Sequence, residues 1–323
     1  MKLLFVWSGL NGYMGDCWRE LDSRPGVELK IIVDLQNRYY GGGFAPNDVL
    51  RNLEWSDKCL EDRSQDYVFI VGWRNRLCRE AASNMWGGAK KICCFDMPWE
   101  WRFRKIAARL LLRRYLRRFH AAFVPGAAAM PYARWLGFPK DRIFTGLYGT
   151  DTRRVGMCKG GAGFLFVGRD SPEKGVAVLR DAYQVYKRKG GTWSLKIVNG
   201  VSPEELGPIY ASADCFVLPS LWEPWGVVLV EAAAAGLPII CTDKCGARHE
   251  VVRDNGIVVR SGDVEELSDA MLRVSGLDRK ERDGCGSIGR VLASPYSCEA
   301  WADRVLTLCN SLKPESAFNH VAK

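Results

Sequence analysis

The chain has 323 residues, of which 47% are hydrophobic and 26% charged, with a net charge of +9. That length exceeds one small core and argues for roughly two domains of about 150 residues each, while no apolar run approaches the ~18 residues that would span a bilayer. The basic balance points to acidic partners: nucleic acid, phosphorylated substrates or an anionic membrane surface. Twelve cysteines and three histidines include no Cys-x-x-Cys pair, which argues against a zinc site. Runs such as KKICCFD and ADCFVLP use cysteine as a small buried hydrophobe, as suits a reducing cytoplasm.

The opening MKLLFVWSGL has no small-residue cleavage site and predicts a first strand rather than a leader. Next come the apolar runs ELKIIVD, DYVFIVGW, KKICCFD and HAAFVPG, expected as buried strands. Helix-like segments such as GDCWREL and the long WRFRKIAARLLLRRYLRRF separate them. Strands alternating with helices predict a parallel sheet covered on both faces. GTDTRRVGMCKGGAG, rich in glycine and without periodicity, reads as a linker. The alternation then restarts through GFLFVG, WSLKIVNG, DCFVLPS, LPIICTD and IVVRSGD, with helices over GVAVLRDAYQVYKRKG, SPEELGPIYASA, WGVVLVEAAAAG and VEELSDAMLRVSG. Two doubly wound units place the natural ligand site in the cleft between them, outside the carboxyl ends of the strands.

Three stretches carry chemistry. In FVGRDSPEKG a strand ends at Gly168 and presents Arg169 and Lys174 ahead of a helix. Two cations beside a helix N-terminus suit a diphosphate; a charged loop without a ligand is the equal alternative. In EPWGVVLVEAAAAG the turn Glu223-Pro224-Trp225-Gly226 opens a helix whose first N–H groups, at Gly226 and Val227, are free to meet anionic oxygens. Glu223 precedes the helix and Glu231 sits inside an apolar run, where an ionised residue is costly without a purpose. Carboxylates at those positions can accept from hydroxyls such as a ribose diol, whereas the plain alternative is a capping acid and a solvent-facing one. GLNGYMGD places Gly9, Gly12 and Gly15 where a backbone could turn closely around a ligand.

The segment Trp101 to Phe119 holds eight Arg and Lys residues interleaved with Trp, Phe, Ile, Leu and Tyr. It reads either as a domain helix with arginines in solvent or as attachment to an anionic leaflet, where each basic residue contributes about 1 kcal/mol. NRYYGGGFAPND reads as an acceptor loop or an ordinary surface loop.

GRDSPEKG followed by EPWGVVLVE resembles the signature of retaining GT-B glycosyltransferases, in particular glycosyltransferase family 4, with its Gly-Arg…Lys-Gly loop and Glu-x7-Glu pair. The resemblance covers the C-terminal half nearly throughout and is loose in the N-terminal half. It implies two Rossmann-like domains facing across a cleft: an acceptor domain over 1–152 and a nucleotide-sugar domain over 153–295. Residues 296–323 would be a helix crossing back to the first domain plus a disordered tail. It further implies that Arg169 and Lys174 hold the donor diphosphate and Glu223 meets the sugar hydroxyls. Glu231 would meet the ribose, and the amides from Trp225 through Gly226 and Val227 to Val228 would face the phosphates and sugar. Gly12 and Gly168 would line the donor, and Asn199-Gly200-Val201 would stand where members meet the base. Members carry a histidine near the reacting centre; the equivalent ICCFDMPWEW has Asp96 instead, which joins Arg169, Lys174 and Glu223 in the candidate catalytic set.

The implied activity is transfer of a sugar from a nucleotide-sugar to a glycan, lipid-linked glycan or small molecule, with retention of configuration. No Asp-x-Asp occurs, so no metal and no cofactor beyond the donor substrate is expected. The expected location is the cytoplasm, with contact to the inner membrane face through Trp101 to Phe119. Two alternatives stand beside this. A GT-B-fold nucleotide-sugar epimerase would want more cleft histidines. A non-catalytic polyanion binder would spread its charge over a face with stacking aromatics, yet the charge concentrates on one segment, so no nucleic acid is expected as a partner.

Overall fold

The computed structural model describes residues 1–10, 12–34, 52–56, 64–84, 88–100, 103–158, 160–161 and 163–312. Two parallel sheets are present. The first is built from β1 (Lys2–Trp7), α1 (Gly12–Asp22), β2 (Glu28–Asp34), β3 (Leu53–Ser56), β4 (Tyr67–Val71), α2 (Arg76–Ser83), β5 (Lys90–Cys94), α3 (Phe103–Leu111), α4 (Arg113–Leu116), β6 (Ala121–Val124), α5 (Met130–Leu136) and β7 (Ile143–Thr145). Its strand order is β3-β2-β1-β4-β5-β6-β7. The second is built from β8 (Gly163–Val167), α6 (Val176–Arg188), β9 (Ser194–Val198), α7 (Pro203–Ala211), β10 (Cys215–Leu218), α8 (Val227–Ala235), β11 (Ile239–Thr242), α9 (Arg248–Val251), β12 (Gly256–Val259), α10 (Val264–Ser275) and α11 (Arg279–Ala293), with strand order β12-β11-β10-β8-β9. The last helix is α12 (Cys298–Ser311).

Most of the apolar runs become central strands because both faces of each sheet are covered, while β9 and β12 form the partly exposed edges of the second sheet. In β1, Leu3, Phe5 and Trp7 point into one core layer, and Leu4 and Val6 into the other. Phe5 stacks on Phe69 at 4.5 Å and meets Trp18 of α1 and Trp301 of α12, each at 5.9 Å. Helix α12 therefore covers the first sheet although it follows the second in sequence. Tyr67 donates to the Cys309 carbonyl at 2.6 Å, and Trp301 to the Leu147 carbonyl at 2.8 Å. The linker is tied down as well: Arg154 makes a two-pronged contact with Asp16 of α1 at 2.8 and 3.1 Å.

Several local expectations are corrected. Gly12 and Gly15 lie in the first turns of α1 rather than in a loop, because the apolar stripe Met14-Cys17-Trp18-Leu21 pulls that segment onto the sheet. The basic segment is not one helix: α3 gives way to α4 at Leu112, where Tyr115 and Leu116 turn inward and the Tyr115 hydroxyl donates to the Gly72 carbonyl at 2.8 Å. Trp101 and Arg102, the stretch NRYYGGGFAPND and the tail after 312 lie outside the described residues. The eleven described cysteines are free thiols and nine of them are buried. Among the described residues no helix is long and apolar enough to cross a membrane.

Candidate active site

A cleft of about 710 Å³ opens between the carboxyl ends of the two sheets. The second sheet supplies most of its wall. After β8 the chain passes Gly168, whose N–H donates to the Val198 carbonyl at 3.0 Å, and then forms a short 3₁₀ turn over Pro172–Lys174. Gly175 closes that turn at φ +69°, and a Cβ there would sit 2.2 Å from the Pro219 carbonyl oxygen. Only glycine lets the turn lie this close to the end of β10. The turn is held from the other side by the N–H groups of Leu221 and Trp222, which donate to the Glu173 carbonyl at 2.8 and 3.2 Å.

The loop before α8 is fixed in the manner of a strand. Glu223 N–H donates to Lys244 at 3.2 Å, and Glu223 accepts through its carbonyl from Gly246 at 3.0 Å; the Trp225 carbonyl accepts from Ala247 at 2.8 Å. Gly226 stands at φ +95° as the N-cap of α8, which turns the first helical N–H groups, at Val227 and Val228, out of the loop. Such groups have no acceptor within their own helix. The indole of Trp225 is buried against Tyr296 at 5.4 Å.

The charged groups meet at this loop. Lys174 Nζ is in direct contact with Glu223 Oε2, and both side chains are largely buried. Arg169 reaches Glu173 at 3.4 Å and is 73% exposed, so it stands over the mouth of the cleft. Glu231, one turn into α8, is buried. It accepts from the Tyr210 hydroxyl at 2.8 Å and the Thr150 hydroxyl at 3.2 Å. Burial pushes its carboxyl above the usual range, and those two hydrogen bonds oppose the rise. Across the cleft, Asp96 follows β5 and accepts from the Tyr148 hydroxyl at 3.2 Å. Burial raises the Asp96 carboxyl too, and the Glu223 carboxylate adds to this. Tyr148 is pushed far up by burial and by Asp96, so it remains a neutral donor.

Of the residues predicted for the site, this one cleft is lined by Asp96 and Gly12 of the first domain and by Gly168, Arg169, Lys174, Asn199, Gly200, Glu223, Trp225, Gly226, Val227, Val228 and Glu231 of the second, whereas Gly9 and Gly15 lie outside it. Among the described residues no three His, Cys, Asp or Glu side chains converge as a metal site.

Residues 194–292 match the family model for glycosyl transferases group 1. The chain is 31% identical over 117 residues to O-antigen chain mannosyltransferase B of Escherichia coli, covering 36% of this chain and 30% of that one. It is 30% identical over 140 residues to sulfoquinovosyl transferase SQD2 of Arabidopsis thaliana, covering 42% of this chain and 27% of that one. The matched stretch thus spans less than a third of these relatives. Among solved structures, Anabaena Alr3699/HepE in complex with UDP superposes with a TM-score of 0.72 at 15% identity, over 97% of this chain and all of that one. Sucrose-phosphate synthase from Thermosynechococcus elongatus gives 0.67 at 14% identity, over 97% and 99%. The architecture is GT-B, with two Rossmann-like domains, and the C-terminal half carries the sequence likeness to group 1 glycosyltransferases.

The cleft also contains side chains that sequence reasoning missed. Tyr13 packs edge-on to Tyr148 at 5.5 Å, and Thr150 holds Glu231, which the fully buried Tyr210 holds from the core side. Tyr13 lies inside the glycine-rich stretch and Thr150 inside the linker stretch, but neither side chain was singled out by its sequence. Their partners are distant in sequence: Asp96 for Tyr148, and Glu231 for both Thr150 and Tyr210.

Proposed function

We propose that this protein transfers a sugar from a nucleoside-diphosphate sugar to an acceptor, with retention of anomeric configuration. The observation that carries the reading is the contact of Lys174 with Glu223 at the open N-terminus of α8, inside the interdomain cleft. Arg169, Lys174 and the amides of Val227 and Val228 would stabilise the departing diphosphate, which is where negative charge develops. Glu223 would accept from sugar hydroxyls. Glu231 would meet the ribose with the lone pairs that Tyr210 and Thr150 leave free. Asn199 and Gly200, exposed after β9, stand where a base could rest. Asp96, kept less acidic by burial and oriented by Tyr148, faces the acceptor side.

The mechanism so drawn needs no resident metal, because the protein's own cations and helix N-terminus supply the countercharge. Neither His120 nor His249 lines the cleft, which favours transfer over the epimerase alternative. The acceptor class, a glycan or lipid-linked glycan, is part of the proposal, as is attachment of residues 101–119 to an anionic surface.

The test is incubation with a panel of UDP-, GDP- and ADP-sugars, with hydrolysis and transfer followed and the product anomer read by proton NMR. A product of inverted configuration overturns retention. Failure to bind any nucleoside diphosphate in calorimetry overturns the whole reading. Within the site, Glu223→Gln should lower turnover while sparing free-nucleotide binding, whereas Glu231→Gln should weaken both nucleotide and nucleotide-sugar.

A further inference from the structure

A second cavity, of about 680 Å³, lies on the first domain away from the cleft. His120 directly precedes β6 and Arg142 directly precedes β7, so the cavity sits at the amino ends of these parallel strands. The donor cleft is at the carboxyl ends. The cavity's rim carries Arg109, Arg113, Arg117 and Arg142. Arg109 comes from the end of α3, Arg113 from the start of α4 and Arg117 from just after it, all facing the cavity, whereas Arg114 and Arg118 are not among the lining residues. No acid lines it. Among the described residues Arg113 and Arg117 have no ion-pair partner, and Arg142 reaches Asp141 only at 3.7 Å.

The floor is apolar, formed by the buried Leu116, Phe119, Leu136 and Phe138. Beside the opening, Leu110 and Leu111 are 78% and 80% exposed. Such adjacent, fully projecting leucines next to unpaired arginines are unusual on a surface that meets only water.

We propose that this cavity binds one anionic phospholipid, with the phosphate between Arg113, Arg117 and Arg142 and the start of an acyl chain over Phe119 and Phe138. Guanidinium forks match phosphate oxygens, and exposed leucines enter the acyl boundary. A free phosphate would account for the arginines but leave the apolar floor and the two leucines without a role. The inference deepens the surface-attachment part of the proposed function, and rests on it only in requiring an anionic bilayer within reach of α3 and α4. Because the cavity opens at the sheet end opposite the cleft, the bound lipid is an anchor and not the acceptor.

The test uses phosphatidylcholine vesicles with and without phosphatidylglycerol and two charge-matched variants. Arg113→Gln/Arg117→Gln removes two lining charges; Arg114→Gln/Arg118→Gln removes two neighbours. The first should weaken binding to anionic vesicles about tenfold or more, and the second much less. Equal weakening in both would reduce the contact to diffuse surface charge and overturn the pocket. Leu110→Asn keeps every charge and should also weaken binding; full retention would overturn the lipid assignment in favour of a bare phosphate site. No binding of the wild type to anionic vesicles at low salt overturns the inference outright. Nucleoside diphosphate affinity, measured on the same samples, should be unchanged in all three variants. That readout separates failure here from failure of the donor-site reading.

Discussion

The molecule carries two cationic regions, and they are built differently. In the cleft each cation has a carboxylate beside it: Lys174 with Glu223, Arg169 with Glu173. At the far end of the first domain Arg113 and Arg117 stand without one among the described residues. A paired cation is held in place and projects little field; a ligand phosphate must exchange with the resident acid. Unpaired cations act at range, over a Debye length of about 8 Å at physiological salt. The first arrangement favours geometry, the second attraction. A net charge of +9 therefore says little about the cleft.

The comparison is broken most severely by removing the paired lysine. Lys174→Met should lower turnover about 10²-fold or more, since it removes a stabiliser of developing charge and leaves Glu223 without its cation. Steady-state kinetics on a protein with native circular dichroism would check this, and turnover within threefold of wild type would make the pair merely structural. A smaller effect should come from moving the lysine instead. Gly175→Ala meets both the +69° backbone and the Pro219 carbonyl, a cost of about 1–3 kcal/mol. It should appear as a lower melting temperature together with weaker nucleoside diphosphate binding.

Glu231 sharpens the contrast, because it is a cleft acid held by hydroxyls. Its carboxyl is raised by burial above the usual 4.5, so the folded state holds the proton more tightly than the unfolded one. The associated stabilisation is complete below the unfolded value and is lost as pH rises through the raised one. Glu231→Gln removes that loss. Its stability relative to wild type should therefore increase with pH, by no more than about 1.4 kcal/mol per pH unit. Urea titrations from about pH 5 to pH 8 would measure it. A difference that stays constant would mean that Tyr210 and Thr150 hold the group ionised throughout. The smallest expected change is that of nucleotide binding with salt. Between about 0.01 and 0.15 M, where the Debye length falls from ~30 to ~8 Å, vesicle binding should drop steeply and nucleotide binding only about threefold or less. Equal slopes would erase the distinction between the two regions.

The ten apolar runs read as strands all form strands: the buried parallel ones show themselves as nearly uninterrupted apolar runs, and the edge strands β9 and β12 keep enough apolar residues on their covered face to be read. The short β3 and β7 were not legible: Leu53–Ser56 is a half-exposed four-residue edge with no such run. Helix α11 was hidden by its glycines, which normally argue against a helix. Here Gly286 and Gly289 let it approach α8, where a Cβ would come within 2.5 Å of the Gly236 carbonyl oxygen and 3.0 Å of that of Ala233. In the cleft, the positions adjacent in sequence to the Arg…Lys loop and the two glutamates were legible. The hydroxyls that tune the acids were not, because Thr150 and Glu231 are 81 residues apart.

The return of α12 to the first sheet has a consequence for biosynthesis. The layer of Phe5, Trp18 and Phe69 stays open on the side of Trp301 until the chain beyond the second sheet has been made. About 150 residues separate β7 from α12, roughly eight to thirty seconds at 5–20 residues per second. During that interval the first domain presents an apolar groove that its own late helix must fill, and it is then that the nascent chain is most exposed to chaperones and to misassembly.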